Sequence, residues 1–228
     1  MMLLAGVTFF ASCGGRPAER EIRKALEEGK LIAGSPKEKL IAFTFDDGPN
    51  STVTPLLLDV LKRNNVKATF FVVGKMVKQH PETTVRIVKE GHELANHSYS
   101  HFNMQKADLE DSIRDIIECN KVVEEVTGVK LKYFRPPGGK ENKQLIDGVA
   151  KLSMTTAFWT INPGDYANPG VDFLVNHIVS RAHNGAIVLL HSTVQQTVDA
   201  MPRIIYELHM RGFRFVTLSE LANEIKKR

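Results

Sequence analysis

Apolar, β-favouring runs alternate with helical patterns along most of this chain. The strand-like runs are Leu40–Phe45, Val66–Val73, Glu93–Asn96, Leu131–Phe134, Thr155–Ile161, Ala186–Leu190 and Phe213–Thr217. Between and after them lie the helical patterns Pro55–Arg63, Glu82–Glu90, Asp108–Val126, Lys143–Leu152, Asp172–Ala182, Met201–Arg211 and Ser219–Lys227. In the third of these helices Ile113, Ile116, Ile117, Val122 and Val126 recur at helical spacing, which predicts that they face a sheet. Strands that alternate with helices predict an α/β fold with a parallel sheet, and their number suits a closed or nearly closed barrel. Arg16–Lys30 is charged and helix-favouring with sparse apolar contacts at Ile22, Leu26 and Leu31, and Gly34-Ser35-Pro36 breaks it. The expected division is therefore a leader over residues 1–13, a tether or outer helix over 14–39, and one α/β domain over 40–228.

Composition narrows the class. The chain has 228 residues, 43% hydrophobic and 25% charged. Such values exclude a disordered, collagen-like or charge-rich coiled-coil protein. Thirty Lys and Arg against 26 Asp and Glu give a net charge of +4, but the basic residues are interspersed with acidic ones. No nucleic-acid-binding stripe is expected. Two cysteines exclude a disulfide scaffold and a Cys-based zinc finger. Cys119, inside a helical pattern, reads as a small buried residue. Cys13 follows an uncharged apolar run that is too short to span a bilayer and suits a signal segment. Phe10-Ala11-Ser12-Cys13 resembles the lipobox of bacterial lipoproteins, which predicts export and membrane anchoring through a lipidated Cys13; an unlipidated secretory signal is the alternative.

The polar residues that stand out fall at predicted strand ends, where barrels of this kind gather their active sites. The first strand runs into Asp46-Asp47-Gly48-Pro49, and two adjacent carboxylates raise each other's pKa unless a positive group offsets them. A metal ion would do so, although Asp-Gly-Pro is also plain turn chemistry. The third strand ends in Asn96-His97-Ser98-Tyr99-Ser100-His101, whose two histidines, four apart, can share one face of a helical turn. Two imidazoles and one carboxylate, with a position open to water, make a common catalytic zinc set. This predicts Asp47, His97 and His101 as ligands and leaves Asp46 as a general base. Arg135, before Pro136-Pro137-Gly138-Gly139, can hold a carboxylate through two hydrogen bonds; its alternative is a surface arginine on a rigid loop. The fifth strand leads through Trp159 to Asp165 and Tyr166. The sixth ends in Leu189-Leu190-His191, an imidazole at the barrel rim or one satisfied by nearby backbone.

Thr44-Phe45-Asp46-Asp47-Gly48-Pro49, His97-Ser98-Tyr99-Ser100-His101, Arg135-Pro136-Pro137-Gly138, Trp159 through Tyr166 and Leu189-Leu190-His191 resemble the ordered motifs of the polysaccharide deacetylases. These are the NodB-homology proteins of carbohydrate esterase family 4, and the resemblance covers about residues 40 to 220. It implies a distorted (β/α)7–8 barrel and a divalent metal, zinc first, with cobalt, manganese or nickel as alternatives. The implied reaction is removal of N-acetyl groups from amino-sugar polymers such as peptidoglycan or chitin. By the same resemblance Asp46 is the base, Asp47, His97 and His101 the metal triad, and Arg135 the residue that orients the base. His191 is the general acid tuned by Asp165, Leu189 meets the acetyl methyl, and the Gly138 N–H is an oxyanion donor. Trp159 and Tyr166 fall in the substrate groove. The chain departs from the family pattern at Gly138, where many members carry an aromatic residue, at Asn162 (commonly aspartate) and at Tyr166 (usually tryptophan). The competing functions are an O-acetyl esterase on xylan or another glycan and a catalytically silent glycan-binding protein. His80, His92, His177, His183 and His209 read as structural, and Met201, Met210, Phe213 and Phe215 as core.

Overall fold

The computed structural model describes residues 17–105, 107–140 and 142–227. The expected signal segment and Cys13 lie outside the described residues. The described chain runs α1 (Glu19–Glu27), β1 (Lys30–Leu31), β2 (Leu40–Asp46), α2 (Val53–Arg63), β3 (Thr69–Val72), α3 (Gly74–Gln79), α4 (Pro81–Lys89) and β4 (Glu93–Asn96). It continues α5 (Leu109–Thr127), β5 (Tyr133–Phe134), α6 (Lys143–Lys151), β6 (Thr155–Ala157), α7 (Val171–Arg181), β7 (Ala186–His191), α8 (Gln195–Met210), β8 (Arg214–Phe215) and α9 (Leu218–Lys226).

All strand pairs are parallel, in the order β1-β6-β5-β4-β3-β2-β7. The short β8 pairs with β2 at Leu40 and Ile41, below the level where β3 pairs at Thr44 and Phe45. The sheet curls until the segment after β6 meets β7: Ile161 bridges Val188, and the Leu189 N–H donates to the Ile161 carbonyl at 2.9 Å. This closes the distorted barrel.

Both faces of the sheet are covered, so its strands read as continuous apolar runs. All seven residues of β2 are buried. The period of two then sorts them. Ile41, Phe43 and Phe45 pack outward in the main core with Phe70, Val72 and Leu94, beneath the helices. Leu40, Ala42, Phe71, Ala95, Tyr133, Ala157 and Ile187 fill the barrel interior. Each fully buried large apolar side chain contributes roughly 1.5–3 kcal/mol. Three interior positions are alanines, which leaves room for a long side chain in the middle of the barrel.

Four expectations change. The segment 14–39 is not wholly outside the barrel: Lys30–Leu31 pairs with β6, and Ile22 and Ala25 are buried against it. Its scarcity of apolar residues hid a two-residue edge strand. The short α3 has too few turns for a periodic signal and was not expected. Ile117 is 46% exposed, because the apolar arc of α5 is narrower than its five residues suggested. Met210, at the last turn of α8, is 67% exposed and not core.

Candidate active site

Two steps further along the inward face from Ala95, Tyr133 and Ala157 stand His97, Arg135 and Trp159, and two steps from Thr44 and Leu189 stand Asp46 and His191. The alternation of the pleat thus carries the interior positions up to the carboxyl ends of the strands, where they meet as a polar layer.

Arg135 occupies the room left by the interior alanines. It is fully buried, with its guanidinium 4.0 Å from the centre of the Phe71 ring. Nη1 donates to Asp46 Oδ1 at 2.7 Å and to Thr44 Oγ1 at 2.9 Å. Nη2 and Nε donate to the carbonyls of Phe158 and Ala157 at 3.1 and 3.3 Å. Thr44 in turn donates to the Val188 carbonyl at 2.7 Å. Burial opposes the charge on Arg135 and Asp46 supports it. The surface-arginine alternative is excluded, but the two-bond grip on a carboxylate is not what forms: only Nη1 reaches Asp46, because Thr44 and two backbone carbonyls take the other bonds. A buried charge so fully paired becomes very costly to leave alone.

Asp47 follows directly but takes φ = 70°, which turns it off the strand and toward the two histidines. Its Oδ1 lies 3.4 Å from His97 Nε2 and 3.1 Å from His101 Nε2, and His191 Nε2 is 3.9 Å from its Oδ2. His97 Nδ1 is 2.8 Å from the Arg135 carbonyl. A carbonyl only accepts, so Nδ1 carries the proton and Nε2 presents a lone pair toward Asp47. Burial works to raise the Asp47 carboxyl, and only a ring that donates a proton to it, or a cation in the same place, lowers it. The histidines do not share a helical turn as the spacing predicted. They converge through a loop in which Ser98 and His101 both take positive φ, and Ser98 Oγ accepts the His101 N–H at 2.9 Å.

His191 forms the opposite wall. Its Nδ1 meets Asp165 Oδ1 at 2.7 Å, and its own N–H donates to Asp165 Oδ2 at 2.8 Å. Asp165 is fully buried and also accepts from Thr197 Oγ1 at 2.6 Å. Burial works to lower the His191 pKa, but the hydrogen bond and charge of Asp165, aided by Asp46 and Asp47, raise it overall. The ring of Tyr166, 63% exposed, stands edge-on to His191 with centroids 5.6 Å apart. Trp159 lies over Arg135, 5.4 Å from ring centre to guanidinium carbon, and a Cβ at Gly139 would come within 2.0 Å of it. Gly138, at φ = 74°, is exposed with nothing within 4 Å of where a Cβ would be.

The structure therefore gathers Asp46, Asp47, His97, His101, Arg135, Asp165 and His191 into one site, with Trp159, Tyr166 and Leu189 around it. Two buried participants were not expected from the sequence. Thr44 was part of a motif but had no role, and Thr197 sits on α8 with no sequence signal to mark it.

One ligand atom from each of Asp47, His97 and His101 lies within 4.8 Å of the others. Asp47 Oδ1 is buried and has no hydrogen-bond partner, although two imidazole nitrogens face it. An orphaned carboxylate oxygen facing two imidazole nitrogens is poorly satisfied by protein alone and well satisfied by a cation. The residues fit a divalent metal.

Comparison with known proteins agrees. A family model described as polysaccharide deacetylase matches residues 33–157. A peptidoglycan-N-acetylglucosamine deacetylase from Bacillus cereus is 42% identical over 207 residues, covering 88% of this chain and 97% of that protein. The solved Bc1960 peptidoglycan N-acetylglucosamine deacetylase superposes with a TM-score of 0.83 at 34% identity, over 86% of this chain and 94% of that one. BA3943 from Bacillus anthracis, described as a pseudoenzyme of carbohydrate esterase family 4, matches with a TM-score of 0.81 at 31% identity, over 86% and 69%. Some relatives are much longer: this chain spans 40% of a peptidoglycan-N-acetylmuramic acid deacetylase from Bacillus subtilis and 39% of a peptidoglycan-N-acetylglucosamine deacetylase from Listeria monocytogenes. This chain belongs to the polysaccharide deacetylase family, the NodB-type barrels of carbohydrate esterase family 4.

Proposed function

We propose that the chain is a metal-dependent hydrolase that removes N-acetyl groups from the amino sugars of cell-wall peptidoglycan. Because the fold is shared with a pseudoenzyme, the residues and not the barrel must carry the reading. The observation that carries it is the convergence of His97 and His101 on the orphaned Asp47 oxygen, with Asp46 locked to Arg135 on one side and His191 locked to Asp165 on the other.

Asp47, His97 and His101 would hold the cation, and their mixed oxygen and nitrogen donors suit zinc. When bound, a divalent cation supplies Lewis acidity, which polarises an amide carbonyl and makes water easier to deprotonate. Asp46 Oδ1 is held by Arg135 while Oδ2 faces the histidines, 3.7 Å from His97 Nε2. That oxygen accepts the proton of the attacking water. As the carbonyl becomes tetrahedral, the Gly138 N–H donates to its oxyanion. The amine is a poor leaving group, and His191, whose pKa Asp165 raises, gives it a proton through Nε2. Leu189 lines the acetyl methyl, and Trp159 and the exposed Tyr166 ring bound the sugar groove. Such a substrate lies outside the cytoplasmic membrane, so we place the protein in the cell envelope, exported and anchored through Cys13.

Acetate release from N-acetylglucosamine oligomers and from peptidoglycan, with and without chelator and added zinc, tests the reading. The expected result is zinc-restored acetate release, lost in Asp46→Asn while that variant still binds zinc. No release by zinc-loaded protein, or release indifferent to chelator, overturns it.

A further inference from the structure

We infer that Asp115, on α5, is a positioning residue that holds the His97–His101 loop in its metal-ligating shape; this rests on the reading of Asp47, His97 and His101 as a metal site. Asp115 Oδ2 accepts the N–H groups of Tyr99 at 2.7 Å and Ser100 at 3.1 Å, and Oδ1 accepts Ser100 Oγ at 2.7 Å. One half-buried carboxylate therefore ties down the two residues that immediately precede His101.

The other side of the loop is tied to α3. The N–H groups of Gly74 and Lys75 donate to the carbonyls of Ser98 and Tyr99 at 3.0 and 2.9 Å. That approach requires glycine at 74, where a Cβ would come within 2.5 Å of the Tyr99 ring. At the base of the loop the Asn96 amide donates to the Ile116 carbonyl and to Asn120 Oδ1, both on α5, while its oxygen accepts the Ser98 N–H. Two non-glycine residues in this loop, Ser98 and His101, take positive φ. Such conformations persist only where the surroundings over-determine them. Asp115 is the charged member of that frame, and hydrogen bonds to a carboxylate are the stronger kind. Its bonds go to the Tyr99 and Ser100 segment and not to the ligand atoms themselves, so its effect passes through the backbone to His97 and His101.

The test is zinc affinity of the full chain after metal stripping, read by competition with a chromophoric chelator. Asp115→Ala should raise the zinc Kd by roughly 10–100-fold, as loss of a residue that orients metal ligands does. Asp115→Asn and Ser100→Ala, which keep part of the hydrogen bonding, should raise it less. A purely structural role would lower the melting temperature of the metal-free protein and leave Kd unchanged, and that result overturns the inference. If Asp115→Ala does not fold, an unchanged Kd in both milder variants overturns it equally. Failure of the wild-type chain to bind zinc would instead sink the metal-site reading itself.

Discussion

Two histidines, His92 buried and His191 half-buried, lie at opposite ends of the barrel and behave oppositely. His191 ends β7 at the carboxyl rim, where Asp165 holds Nδ1 and raises the pKa against the effect of burial. His92 precedes β4 at the amino end. Burial first, then the charge of Lys67, pushes its pKa down to about 4. Its Nδ1 accepts the Ala68 N–H at 3.2 Å, so the neutral ring carries its proton on Nε2, which is buried without a partner. Phe70 packs against it, with ring centroids 5.3 Å apart. The two residues differ little in burial. A carboxylate fixed beside one ring favours its charged form, and a backbone donor aimed at the other favours its neutral form.

The largest expected effect breaks this contrast at its functional end. His191→Ala should lower turnover of N-acetyl substrates by roughly 10²–10⁴-fold. Activated acetyl esters, whose leaving groups need no proton, should lose much less. Equal losses on amide and ester, measured as kcat/KM, would remove His191 from the acid role.

A smaller change sharpens the comparison. Asp165→Asn removes the charge that raises the His191 pKa. The alkaline limb of the kcat/KM profile should move to lower pH by about one unit or more, because the acid form is then lost earlier. An unmoved limb would mean that another group sets it.

The smallest effect concerns stability at the opposite end. An unfolded histidine takes up its proton near pH 6.5, whereas folded His92 resists it until about pH 4. Its contribution is therefore intact above pH 6.5 and declines as pH falls toward 4, by roughly 3 kcal/mol. His92→Asn keeps an acceptor for the Ala68 N–H and should flatten that decline. Urea midpoints at pH 7 and pH 4.5 measure it, and an equal acid loss in both proteins would assign it to other groups.

Much of this was legible in the chain. The alternation of strand and helix was written in hydrophobic periodicity, because both faces of a parallel sheet must be covered. The polar residues that interrupt the apolar strands at their ends marked the site, because turn chemistry or a backbone-satisfied imidazole could explain any one of them but not their recurrence at successive strand ends. Short elements escaped notice: β1 has two residues and α3 has six, too few for a period to show.

The sequence by itself determined which chemical groups are present and that they fall at strand ends. Tertiary structure decided what each one does. Asp46 and Asp47 are adjacent and chemically alike, yet the pleat points one at Arg135 and a left-handed φ turns the other toward two imidazoles. His92 and His191 carry identical side chains, yet their pKa values are pushed in opposite directions. A carboxylate or an imidazole acquires its role from the charges and donors within a few ångströms, and residues 26 to 144 positions apart supply them here. Local pattern has no access to neighbours at that separation, so only the closed barrel could settle which groups meet.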